Sequence, residues 1–258
     1  MAVTIKSSHE IELMRESCRL LSVVHDEIAK MIRPGISTWE LDKAAYDMIR
    51  DFGCTPNFLH LYGYPATICA SVNEVVVHGI PSRTKVLHEG DIVGIDMGLI
   101  YKGYHSDAAR THGVGKISAA DQQLIDVTRQ SFFEGIKYAR AGNHLYDISA
   151  AIQNYAESYG YGVVRDMVGH GIGTHLHEDP EVPNFKPPGR GLKLRAGMTL
   201  AIEPMINAGT WEVEILDDDW TCVTLDRKKS AHYENTILIT DGEPEILTLK
   251  RDAREENE

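Results

Sequence analysis

Apolar residues recur at helical spacing in four stretches of the chain, each bounded by capping and stop signals. Ser7-x-x-Glu10 reads as a capping box, and Ile11, Met14, Cys18 and Leu21 then follow on one face. Arg33-Pro34-Gly35 ends that pattern, because proline and glycine do not continue a helix. Ser37-x-x-Glu40 opens a second helix, with Leu41, Ala44, Ala45 and Met48 on one side and a stop near Phe52-Gly53. Ser118 with Asp121 starts a third, which Ala141-Gly142 breaks. A fourth runs from Leu145 to Tyr159-Gly160. Short β-branched runs predict strands at residues 68–77, 92–95, 199–202 and 236–239.

The order of these signals repeats. Leu87, Gly90, Ile95 and Asp96 recur 107 residues later as Leu194, Gly197, Ile202 and Glu203, and Gly35 and Gly53 recur as Gly142 and Gly160. Self-similarity at a fixed offset marks a repeated unit. The expectation is one domain over residues 1–258, α/β (α+β) in class, with halves of roughly 1–110 and 111–250. Each half delivers an acid at the tip of an apolar strand. A second acid follows in each half: Asp107 lies 11 residues after Asp96, and Glu234 lies 31 after Glu203. If Glu234 matches Asp107, the second half carries 20 extra residues, placed essentially at 211–229 (19 positions) with a turn at Asp217-Asp218-Asp219.

Composition narrows the class. Hydrophobic residues make up 43% and charged residues 25% of 258, enough apolar material for a packed core. A net charge of −12 argues against a nucleic-acid footprint. The acidic end, residues 254–258, reads as a solvated tail. Cys18, Cys54, Cys69 and Cys222 form no C-x-x-C pair, which speaks against a structural zinc site and for a reducing compartment. No apolar run is long enough to span a bilayer and no signal peptide is evident, so the expected location is cytoplasmic.

The repeat points to chemistry because paired acids on apolar strands are costly to bury without a positive partner. Asp96, Asp107, Glu203 and Glu234, joined by His170 in Gly169-His170-Gly171-Ile172-Gly173, form an oxygen-rich donor set with one imidazole. That set suits two divalent ions better than one tetrahedral zinc. Two such ions can hold a bridging hydroxide and polarise a carbonyl. Taken alone, a glycine-flanked histidine is more often a loop residue than a ligand. His78 and His177 are further candidates, able to donate to a developing oxyanion. No His-Glu-x-x-His or Gly-x-Ser-x-Gly motif is present.

The run Ser71 to Pro81 around His78, Gly90 to Asp96, His105-Ser106-Asp107, Gly169 to Gly173, Leu176-His177-Glu178, Ile202-Glu203-Pro204 and His232 to Thr236 together are specific. On them the chain resembles the type I, bacterial-type methionine aminopeptidases over nearly its whole length. The resemblance implies the pita-bread fold, two pseudo-symmetric halves around a central antiparallel sheet with helices outside. It implies Asp96, Asp107, His170, Glu203 and Glu234 as ligands of two divalent ions (Co, Mn, Fe or Zn), with Asp107 and Glu234 bridging. It implies His78 and His177 as substrate and intermediate contacts, and Glu203 as proton carrier. Phe58, Tyr64, Cys69 and Trp220 map to the methionine pocket. The reaction implied is attack of a metal-bridging hydroxide on the methionine carbonyl of peptides and nascent chains whose second residue is small. A transient ribosome contact and a monomeric state accompany that picture, with no nucleic-acid motif and no membrane. The chain departs from the family at His60-Leu61-Tyr62-Gly63-Tyr64-Pro65, where Gly-Tyr-His-Gly-Tyr-Pro is usual, and at Leu176, often Phe. Both changes touch the expected pocket rim.

Rival readings are an X-Pro hydrolase of the same fold, a binding protein of that fold that has lost catalysis, and a generic acidic metal-binding protein. Residues 1–60 are too few for the extra N-terminal domain usual in X-Pro enzymes, and the intact ligand set speaks against the second. The third leaves His78 and His177 unexplained.

Overall fold

The computed structural model describes residues 3–249; the expected acidic tail lies outside them. Four α-helices form among the described residues: α1 (Ser8–Met31), α2 (Thr38–Asp51), α3 (Ala119–Ile136) and α4 (Leu145–Ser158). Strands of the first part are β1 (Thr55–Pro56), β2 (Ile68–Val72), β3 (Val75–Val77), β4 (Ile92–Tyr101) and β5 (Tyr104–Gly113). Later come β6 (Gly162–Val163), β7 (Gly169–Gly171), β8 (Glu178–Val182), β9 (Thr199–Ile202) and β10 (Met205–Asn207). The last are β11 (Val213–Ile215), β12 (Cys222–Thr224), β13 (Ser230–His232), β14 (Glu234–Leu238) and β15 (Glu245–Ile246).

The capping boxes form as expected. Ser7 and Ser37 each accept the N–H of the glutamate three residues on, and that glutamate reaches back to the serine N–H. The third helix ends at Ile136, five residues before Ala141. The chain leaves it through tight turns so that Ala141 N–H can donate to Thr240 O at 2.9 Å. The run at 68–77 is two strands, because Asn73 (φ 55) reverses the chain and its side chain spans Asp91 Oδ1 and Ile92 N. The run at 92–95 extends to Tyr101. Through a Lys102-Gly103 turn, both residues at positive φ as a tight hairpin requires, it pairs along its length with β5.

A nine-stranded antiparallel sheet runs β1-β4-β5-β14-β9-β7-β8, with β2 on β4 and β15 on β14. One core cluster packs α1 and α2 against β2 and β4; another packs α3 and α4 against β9 and β14. Buried apolar faces of this size supply most of the driving force for the architecture. The repeat is visible bond by bond. Gly35 N–H donates to Leu87 O at 2.8 Å, and Gly142 N–H to Leu194 O at 3.0 Å. Isolated bridges pair Ser37 with Val86 and His144 with Lys193. The 20 extra residues contain the β11–β12 hairpin, turning at 217–219 as expected, and β12 pairs with β3 of the first half.

Gly35 (φ 89) and Gly142 (φ 96) have nothing within 4 Å of where a Cβ would sit. Alanine at either position is therefore penalised by backbone conformation alone. Gly35→Ala and Gly142→Ala should each cost about 1–2 kcal/mol, read as a lowered urea midpoint with unchanged slope; a neutral result at either would contradict this.

Candidate metal centre and substrate pocket

The five proposed ligands come from five consecutive strands of the sheet. Asp96 lies on β4, Asp107 on β5, Glu234 opens β14, Glu203 follows β9 by one residue, and His170 lies on β7. Register brings them to one face. Asp96 is opposite Ala109, and Ala109 is opposite Glu234. Asp107 shares the face of Ala109 because alternate residues of a strand point the same way. The small side chain of Ala109 leaves the space between the acids open. Asp107 is locked in place from β14: its N–H donates to Thr236 Oγ1 (3.2 Å), and that hydroxyl donates back to Asp107 O (2.9 Å).

Donor atoms of Asp107, His170 and Glu234 all lie within 4.8 Å of one another. His170 Nε2 is 3.7 Å from Asp107 Oδ2 and 3.9 Å from Glu203 Oε1. Asp96 stands outside that tight trio but lines the same cavity. Burial, followed by the charges of Asp107 and Glu203, holds the carboxyls of Asp96 and Glu234 well above the usual carboxylate range; Asp96 adds to the effect on Glu234. Burial raises Asp107 too, opposed by the nearby His170 imidazole. Burial pushes His170 down, but Asp107 and Glu203 outweigh it and the net direction is up. Asp96 Oδ1, Asp107 Oδ1 and Glu234 Oε1 are buried without a hydrogen-bond partner. Unpaired buried carboxylate oxygens are costly, and convergent ones at this spacing fit divalent cations with hard oxygen ligands.

Beside the acids opens a cavity of about 250 Å³. Phe58, Tyr64, Cys69, Leu176 and Trp220 form its apolar side, and His78 and His177 also line it, so every residue singled out from the sequence meets here. The Trp220 ring lies edge-on to Tyr64 (5.1 Å between centroids) and to His78 (6.3 Å). Trp220 reaches this position because the β11–β12 hairpin docks on β3. The Tyr64 hydroxyl donates to the carbonyls of Ile68 (3.1 Å) and Gly79 (3.2 Å), so its ring is held as a wall. Burial pushes the Cys69 thiol well up, which removes it as a nucleophile. Burial lowers His78 and takes His177, next to His170, down to about 4. Both imidazoles are therefore neutral at pH 7. His177 meets His170 edge-on at 4.5 Å.

A match to Metallopeptidase family M24 spans residues 12–241. The methionine aminopeptidase of Clostridium acetobutylicum is 53% identical over 247 residues, covering 96% of this chain and 99% of that one. The chain belongs to metallopeptidase family M24, in its methionine aminopeptidase branch. The crystal structure of a Thermotoga maritima methionine aminopeptidase superposes with a TM-score of 0.94 at 44% identity, over 96% of this chain and all of that one. A Bacillus anthracis Xaa-Pro dipeptidase superposes at 0.78 and 25% identity, and only 62% of that longer chain is covered. The pita-bread fold of the M24 family is thus the fold of this chain. Among the described residues no helix is long and apolar enough to cross a membrane.

Some site residues escaped the sequence reading. Tyr62, 77% exposed, stacks on His177 with rings 8° from parallel and 6.1 Å apart. Met167 and Val168 also line the cavity. His232 Nε2 lies 3.4 Å from Glu203 Oε2. Its place two residues before Glu234 was the available signal, because alternation puts such residues on one side of an extended chain.

The raised carboxyls give a pH dependence. Groups whose pKa is raised on folding contribute stability below their unfolded pKa and lose it as pH rises through the folded value. Metal-free protein should therefore be destabilised by Asp96 and Glu234 as pH climbs from acid toward neutral. Divalent cation should restore the melting temperature, with a gain that grows over the same range. Thermal unfolding with cation and with chelator across pH 5–8 checks this; an equal gain at every pH would refute it.

Proposed function

We propose that the protein removes the N-terminal methionine from peptides and nascent chains whose second residue is small, using two divalent cations. The observation that carries this reading is the shared cavity: an apolar slot sized for one side chain opens directly onto the carboxylate cluster. Asp107 and Glu234 would bridge the two cations, with Asp96 completing one side and His170 and Glu203 the other. Bound there, divalent cations would supply Lewis-acid polarisation of the scissile carbonyl and a water made nucleophilic near neutral pH.

The remaining work falls to the chain. The flexible thioether of methionine enters between Tyr64, Cys69 and Trp220. His78 and His177, kept neutral by burial, donate hydrogen bonds to substrate oxygen as charge develops there. Glu203, beside His232, carries a proton from attacking water to the leaving amine. Tyr62, stacked on His177 at the rim, narrows the space for the residue after methionine. The four cysteines are all free and buried, which supports action in the reducing cytoplasm. The oxygen-rich donor set is compatible with Mn, Fe, Co or Zn.

Metal-loaded protein should release free methionine from Met-Ala-Ser at least about a hundredfold faster than from Met-Lys-Ser, a barrier difference of roughly 3 kcal/mol. Preference for an X-Pro peptide, or turnover that survives a chelator, would sink the proposal. Asp107→Asn and Glu234→Gln should each reduce kcat by roughly a thousandfold while circular dichroism stays native. An active Glu234→Gln protein would remove its bridging role.

A further inference from the structure

The short arm before α1 reaches the active-site loop through a buried ion pair. Lys6 Nζ lies 2.6 Å from Glu178 Oε2, and both side chains are about 95% buried. Thr4 Oγ1 donates to the same oxygen at 2.7 Å, and Lys6 Nζ also contacts that hydroxyl. The other oxygen, Glu178 Oε1, accepts the His175 N–H at 3.2 Å and the Thr174 hydroxyl at 3.4 Å. One carboxylate thus joins the arm to the loop that connects β7, bearing His170, to β8.

Two glycines leave room for the arm. A Cβ on Gly173 would collide with the Lys6 side chain and with Glu178, and one on Gly197 would strike Ile5. Lys6 N–H also donates to Gly197 O at 2.8 Å. Gly90, the counterpart of Gly197 in the first half, would meet only Lys116 O at 4.0 Å. The arm therefore belongs to the asymmetric part of the molecule, on the side where His177 projects. A buried ion pair is weak evidence for stability. Its placement immediately beside His177 gives it a different use.

We propose that Lys6, with Thr4, is a positioning residue: through Glu178 it fixes the 173–178 loop and so the imidazole of His177. This rests on the reading of His177 as a substrate contact in methionine release. None of the three residues lines the cavity; each acts through the loop.

The experiment compares wild type, Lys6→Met, His177→Ala and the double variant on Met-Ala-Ser, with metal binding followed by calorimetry. Lys6→Met should lower kcat about tenfold to a hundredfold, the scale of a small misplacement, with KM changed less than about threefold and metal stoichiometry intact. On the His177→Ala background it should change kcat by less than about twofold. Thr4→Val, a milder lesion if Lys6→Met does not fold, should lower kcat in the same direction without altering metal binding. Unchanged kcat in both arm variants, effects that multiply with His177→Ala, or loss of metal binding would each overturn the inference. Wild type that leaves Met-Ala-Ser intact would instead overturn the functional reading on which it rests.

Discussion

Mutual repulsion among buried carboxylates is the constraint around which this molecule is arranged. Asp107 and Glu234 are buried and Asp96 partly so, on adjoining strands, each with one oxygen shielded from water that no protein group satisfies. A scaffold stiff enough to keep the acids together shows its cost as carboxyls that hold their protons well above the usual carboxylate range. The long β4–β5 ladder, the locking of Asp107 by Thr236 and the two flanking cores supply that stiffness. The same enforced proximity makes the face a receptor for divalent cations.

Symmetry and its failure divide the labour. The parts that repeat are the α2 and α4 helices, the glycine turns and the acid-bearing strands, and these deliver the four acids in matched pairs, whereas His170 has no counterpart. The parts that do not repeat surround the cavity. The β11–β12 hairpin brings Trp220 across to His78. The β7–β8 loop brings His177, and the rim at 58–64 brings Tyr62. Paired acids are a matter of symmetric strands, whereas recognition of one side chain on one face of a carbonyl needs a lopsided cavity.

Much of this was legible in the chain because local rules and global fold agree. Both capping boxes, the glycine stops and the offset of 107 are local signals, and each corresponds to a structural feature. β5 was not legible, because His105, Ser106, Asp107, Arg110 and Thr111 give it no apolar alternation; its pairing is decided by the β4 hairpin. The break at Asn73 was hidden inside an apolar run, since one residue at positive φ leaves no periodicity to read. Candidate ligands could be named from acids at matched positions. The contacts of Tyr62 and Lys6 could not, because their partners are brought close only by tertiary structure, 172 residues away in the case of Lys6 and Glu178, and His232 offered only its alternation with Glu234.

The sheet is thin where the halves meet. β5 and β14 are joined by only two residue pairs, Glu234 with Ala109 and Asn235 with Ala108. Side chains thicken the joint: Arg110 donates to Glu234 O and Asn235 Oδ1, and Thr111 donates to His232 O. Asp107 and Glu234 stand on opposite sides of that seam. In their proposed bridging role, a cation they share is also a clasp between the two halves. Filling the site would then stiffen the molecule across its own midline, and emptying it would release a fastener along with a catalyst.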